Sequence, residues 1–192
     1  MWRMGNLKQE VILGIDGGGT YTRVVVADLS GNIIGFAKDA GVHPEKNKTP
    51  ELNIKNAIKK ALDNAKASFD SVLYIVAGFA GFNREEDKTW AQKLLQIDDV
   101  KGKTVIINDA EVAQYGAFLG KPGIVAIAGT GSAVLGKTES GRVITNRDFH
   151  HHTMSGARYL SYSVLYDMIA GKQEPENIEF VNQILHYWDV ND

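Results

Sequence analysis

The 192-residue sequence predicts an α/β protein, a mixed sheet with helices on its faces. Three observations lead there. Short β-branched runs alternate with stretches of helical period. Two glycine-rich loops, Asp16-Gly17-Gly18-Gly19-Thr20 and Gly129-Thr130-Gly131-Ser132, each separate two apolar runs. The loops also form an internal repeat: Gly17 and Gly129, Gly19 and Gly131, and Thr20 and Ser132 are all 112 positions apart. Each leads through a strand-like run to a Ser-Gly turn, Ser30-Gly31 and Ser140-Gly141. A strand–glycine loop–strand unit used twice predicts two related half-domains facing one ligand.

The elements follow in order. Val11 to Ile15 reads as a buried strand, and the β-branched run Thr22 to Leu29 as a second. Ser30-Gly31-Asn32 turns into a third strand, Ile33 to Lys38. Gly41 to Lys48 is a polar loop. Thr49-Pro50-Glu51 starts a helix with a cap candidate, a first-turn proline and an acid. Ile54, Ile58, Ala61, Ala65 and Phe69 give it one apolar face.

Val72 to Ala77 is a fourth strand and ends in Gly78-Phe79-Ala80-Gly81. A helix is expected from about Glu85 to Leu95, a fifth strand over Thr104 to Ile107, and a small-residue helix over Ala110 to Leu119. Lys121-Pro122-Gly123 is the expected boundary between units 1–120 and 121–192. Strands Ile124 to Ala128, Ala133 to Lys137 and Arg142 to Thr145 then repeat the first pattern. Helices are expected over about Ala157 to Ala170 and Glu176 to Tyr187.

Composition bounds the function. The 44% hydrophobic fraction supports a real core, and a net charge of -2 offers no basic field for nucleic acid. No apolar run approaches the roughly 20 residues of a membrane helix, and the first residues carry no apolar signal core. The expected location is therefore cytoplasmic. The absence of cysteine excludes disulfides, thiol catalysis and cysteine-held iron–sulfur clusters.

Asp16 ends a strand and precedes three glycines and Thr20. A carboxylate there can hold Mg²⁺, while the loop N–H groups and the Thr20 hydroxyl meet phosphate. The alternative is a glycine-rich hairpin with an incidental acid. In the second loop Ala128 stands where Asp16 stands, so only one loop offers a metal ligand. Thr130 and Ser132 offer hydroxyls; they are otherwise turn residues. Asp109 falls at the end of the fifth strand, where a helix begins. Position alone leaves two roles open, a helix cap and a general base for an attacking hydroxyl. Gly78 and Gly81 either shape a cleft wall or end a strand. His150-His151-His152 suggests a metal, but adjacent strand residues point to opposite faces, so a solvated loop is expected. Trp90 and Trp188 read as packing residues.

Four segments together resemble the BadF/BadG/BcrA/BcrD-type ATPases, and among them the N-acetylglucosamine kinase-like sugar kinases of the sugar kinase, Hsp70 and actin superfamily. They are Gly14 to Thr22, Ala77 to Gly81, Asn108-Asp109-Ala110 and Pro122 to Ser132. The resemblance implies a ribonuclease H-like lobe with a five-stranded mixed sheet, then an incomplete second lobe of the same type, with ATP–Mg²⁺ between them. It implies phosphate binding by Gly17, Gly18, Gly19, Thr20, Gly129, Thr130, Gly131 and Ser132. Asp16 would hold the metal, and Asp109 would be the base that activates a sugar hydroxyl. Asn47, Gly78 and Asn108 would meet the sugar, Asn47 standing in for the asparagine of the family's Gly-x-x-Asn loop.

The sequence also departs from that pattern. Where the family carries a sugar-binding acid, Gly156-Ala157-Arg158 stands instead. No adenosine-binding segment follows Gln173. A second copy of the chain, or a further C-terminal segment, is the expected complement. The family's radical-dehydratase activators need cluster-binding cysteines, which this chain lacks. A small-molecule kinase and a non-catalytic nucleotide-binding relative acting through a partner remain as readings.

Overall fold

The computed structural model describes residues 9–97, 100, 102–129, 131–149 and 155–190. They form two compact units, divided between Gly123 and Ile124.

The first unit is a five-stranded sheet. Its strands are β1 (Val11–Gly17), β2 (Tyr21–Asp28), β3 (Ile33–Ala40), β4 (Val72–Phe79) and β5 (Lys103–Asn108), in the order β3-β2-β1-β4-β5. β1, β2 and β3 form an antiparallel meander, while β4 and β5 run parallel to β1. The sheet is thus mixed, as the strand–helix alternation predicts. Strict alternation along β1 buries Val11, Leu13, Ile15 and Gly17 and turns Asp16 to the other face. The buried face receives helix α1 (Pro50–Ala65), whose Ile54, Ala57, Ile58, Ala61 and Leu62 are buried. The expected apolar stripe is present up to Ala65. Phe69 belongs instead to a one-turn 3-10 helix, yet still packs on the core. Thr49 occupies the cap position without a side-chain capping bond.

Helix α2 (Lys88–Leu94) is shorter than expected. A 3-10 turn, Glu85–Asp87, precedes it. The Asp87 carboxylate accepts the N–H groups of Asn83 at 2.7 Å and Arg84 at 2.8 Å. Those bonds tighten the chain before the helix and hold the Asp87 carboxyl below its ordinary pKa.

Helix α3 (Asp109–Phe118) begins one residue before the expected start and ends with Leu119 in the left-handed conformation. Its cap is Asn108, not Asp109: Asn108 Oδ1 accepts the Ala110 N–H at 2.8 Å. Asn108 Nδ2 donates to the Phe82 carbonyl and to Asn83 Oδ1, both at 2.9 Å. Replacing Asn108 by alanine removes all three bonds and should cost about 1–2 kcal/mol, read from the urea midpoint. Asn108→Asp keeps the capping acceptor and should cost less.

The second unit holds a three-stranded sheet of β6 (Gly123–Ala128), β7 (Ser132–Lys137) and β8 (Val143–Thr145), in sequence order. The repeat is therefore structural. Each unit places a glycine loop between the first and second strands of a three-strand succession. Helices α4 (Ala157–Ile169) and α5 (Ile178–Tyr187) follow and bury none of their residues. Trp188, expected to pack, is 63% exposed. His150, His151 and His152 lie outside the described residues.

Candidate active site

The candidate residues of the first unit collect at the carboxyl ends of the parallel strands β1, β4 and β5. Register sets their positions. Asp16 is level with Gly78, and Gly78 with Ile107; one step on, Gly17, Phe79 and Asn108 are level. Asp16 and Asp109 thus end strands that lie two strand spacings of about 4.8 Å apart. Gly78 lies between them, and it has to be glycine. A Cβ there would sit 2.4 Å from Val112 Cγ2 and 3.3 Å from Asp109 Cα. The missing side chain lets α3 close onto the sheet and brings Asp109 against the strand end.

The first glycine loop is a tight β1–β2 connection. Gly18 N–H donates to the Tyr21 carbonyl at 2.9 Å. The N–H groups of Gly19 and Thr20 donate to nothing among the described residues. Two adjacent backbone donors without an acceptor form a concavity suited to an anion. Meanwhile all three glycine carbonyls are occupied from outside the loop. Gly17 O accepts from Ala80 N at 3.0 Å, Gly18 O from Val42 N at 3.0 Å, and Gly19 O from Asn47 Nδ2 at 3.0 Å. The carbonyls are tied down and the free N–H groups remain.

Asp16 is half exposed and forms an ion pair with Arg23, Oδ2 to Nη1 at 2.7 Å. Arg23 faces it because β1 and β2 pair Asp16 with Arg23 directly. Spacing in the sequence did not suggest this partner. Among the described residues no three acidic or histidine side chains converge as a metal cage. One carboxylate suits Mg²⁺, which keeps several waters and takes the rest of its ligands from phosphate. A lone carboxylate such as Asp16 thus suits an ion that brings its own waters and phosphate ligands rather than one caged by the described residues.

Asp109 occupies the first residue of α3, and its Oδ1 lies 3.0 Å from the Ala110 N–H. Asn47 was expected at the sugar. Its amide donates to the Gly19 and His43 carbonyls, which staples the β3–α1 loop to the glycine loop. Gly81 abuts His43: a Cβ on it would lie 2.8 Å from His43 Nε2. The His43 ring leans on Trp90, which in turn packs on Phe79. Trp90 is thus a packing residue, as read from the sequence.

In the second unit Gly129 N–H donates to the Gly131 carbonyl at 2.8 Å, closing the loop tightly. Gly129 O accepts from Ala157, the first residue of α4, at 2.8 Å. A Cβ on Gly156 would lie 2.6 Å from the Gly131 carbonyl carbon. Glycine at 156 therefore seats the amino end of α4 on the loop, which the sequence pattern did not reveal. Ser132 opens β7. Thr130 lies outside the described residues.

Comparison with known proteins adds the family. The BadF/BadG/BcrA/BcrD ATPase family model matches residues 13–147. Among curated relatives, N-acetylmuramic acid/N-acetylglucosamine kinase of Clostridium acetobutylicum is 28% identical over 73% of this chain and 46% of its own length. Glucosamine kinase of Vibrio cholerae is 31% identical over 71% of this chain and 47% of its own. The chain spans about half the length of the curated relatives it matches. Among solved structures, a Porphyromonas gingivalis protein assigned as an N-acetylglucosamine kinase superposes with a TM-score of 0.66 at 17% identity. It covers 94% of this chain and 63% of that one, a likeness of fold. The family match, carried by the segments that hold both glycine loops and Asp109, shows that this chain belongs to the BadF/BadG/BcrA/BcrD ATPase family.

Proposed function

We propose that the chain serves an ATP-dependent sugar kinase, one that phosphorylates a hydroxyl of a hexose or N-acetylhexosamine. The observation that carries this reading is the strand-end row Asp16–Gly78–Asp109 beside two unused loop N–H groups. The curated relatives, named as amino-sugar kinases, support the acceptor class.

The residues divide the work. Gly19 and Thr20 N–H groups bind phosphate oxygens, and the glycines before them allow the close approach. Asp16 and Thr20 would hold a Mg²⁺ carried by the nucleotide, which would supply charge neutralisation at the phosphoryl group. Asp109 accepts the proton of the attacking sugar hydroxyl as that oxygen bonds to the γ-phosphorus and ADP leaves. In the second unit Gly131 and Ser132 are the candidate phosphate-binding residues, while the Gly129 N–H closes the loop on the Gly131 carbonyl. Gly78 keeps the floor between Asp16 and Asp109 clear. Asn108 acts by capping α3 and so orienting Asp109. Asn47 acts by fixing the glycine loop, its amide held on the Gly19 and His43 carbonyls.

A thermal melt with Mg-ATP, paired with mass detection of sugar phosphate from N-acetylglucosamine, glucosamine and glucose, tests the reading. A saturable, Mg²⁺-dependent rise in Tm and a phosphorylated amino sugar are expected. No shift up to millimolar Mg-ATP and no phosphorylated sugar would sink it. A second reading, nucleotide binding coupled to a protein partner, draws on the exposed Tyr162, Tyr166 and Ile169 of α4. A Tm rise without phosphorylation of any acceptor would favour that reading.

A further inference from the structure

The β3–α1 loop, residues 41–49, lies against the first glycine loop. A Cβ on Gly41 would sit 2.3 Å from the Gly19 carbonyl oxygen, so the two backbones are in direct contact. Val42 N–H and Asn47 Nδ2 bond the two loops together. Asn53 Nδ2 donates to the Gly41 carbonyl at 2.7 Å and ties the same loop to α1. Lys46 has its own backbone N–H on the His43 carbonyl at 3.0 Å. Its side chain extends over Gly19: a Cβ there would lie 3.0 Å from Lys46 Cδ and 3.3 Å from Nζ. No carboxylate among the described residues pairs with this ammonium, although the first unit forms ion pairs elsewhere. An exposed ammonium therefore stands over Gly19, whose N–H, like that of Thr20, has no acceptor among the described residues.

We propose that Lys46 is a phosphate-binding residue of this chain, one that completes the Gly19–Thr20 anion site from the β3–α1 loop. The inference rests on the nucleotide reading above. The other cation at the strand ends, Arg23, is committed to Asp16. Lys38, level with Arg23 on β3, has its ammonium 3.5 Å over the Tyr21 ring. Among the described residues Lys46 is the cation whose side chain extends over Gly19. Its backbone is held while its four-carbon stem stays mobile, so it follows the anion as a point charge. Because Asn47, the next residue, holds the Gly19 carbonyl, an anion that draws Lys46 inward also tightens the loop around the site.

The test is calorimetric and needs no turnover. Magnesium tripolyphosphate carries the anion without adenosine, and Mg-ATP is titrated in parallel. The parent, Lys46→Ala, Lys46→Arg and the neighbouring Lys48→Ala are compared. A charge-assisted bond lost from a partly exposed site predicts about a tenfold rise in Kd for Lys46→Ala, for both ligands. Lys46→Arg should recover most of the affinity, and Lys48→Ala should stay within about twofold. The Lys46→Ala loss should shrink at high salt, where ionic contacts are screened. If the parent binds tripolyphosphate and Lys46→Ala binds it equally well, Lys46 is excluded while the nucleotide reading stands. Equal losses in Lys46→Ala and Lys48→Ala would also exclude it, showing only a diffuse field. A parent that binds neither ligand removes both the nucleotide reading and this one.

Discussion

Asp109→Asn should slow phosphoryl transfer about a thousandfold and leave the Kd for Mg-ATP within about twofold of the parent. The amide has the size and shape of the carboxylate but cannot take a proton from the acceptor hydroxyl. The helix should survive the change. Its cap is Asn108, whose Oδ1 already holds the Ala110 N–H. Losing one acid from the first turn of α3 costs only about 0.3–1 kcal/mol, and Glu111 remains in that turn. Stability and catalysis therefore separate in this variant. Single-turnover measurement of sugar phosphate, with nucleotide binding measured on the same preparation, reads both. Transfer at the parent rate would reduce Asp109 to a residue of the helix start.

Phe79→Ala should destabilise the first unit by about 3–5 kcal/mol, the largest expected stability change among single substitutions at the site. Phe79 is fully buried at the end of β4 and packs on Trp90. It also fills the space beside Gly17, where a Cβ would lie 2.3 Å from its ring. Removing the ring opens a cavity directly beneath the glycine loop. The loop should loosen as well, because Ala80 N–H, one residue on, holds the Gly17 carbonyl. Urea unfolding followed by amide protection of β1 and β4 measures the effect. Tyr74→Ala, on the same strand but 43% exposed, is the control and should cost under about 1 kcal/mol. Equal costs for the two would mean that the strand end is not a packed support for the loop.

Much of this was legible in the chain order. The β-branched runs around Val11, Val24 and Val72 marked strands because such side chains fit a pleated surface. Asp16 followed by three glycines marked a loop beside a carboxylate. The 112-residue repeat announced the second glycine loop, and the structure shows both between successive strands. Asp109 was placed at a strand end, with its role open between cap and base. The structure gives the cap to its neighbour Asn108. Asn47 was read as a sugar ligand, and its amide is found on two carbonyls of the loop region.

The sequence by itself determined the strands, the helices and the two loops, because period and glycine content act over a few residues. Only the tertiary structure decided who meets whom at the strand ends. Arg23 reaches Asp16 through antiparallel register, Val112 requires Gly78 through helix packing, and Lys46 reaches Gly19 through a loop that folds back 27 positions later. Those contacts join residues distant in the chain, and no local pattern encodes them. The last of them follows from burial of the apolar face of α1, which fixes β3 and its following loop against the sheet.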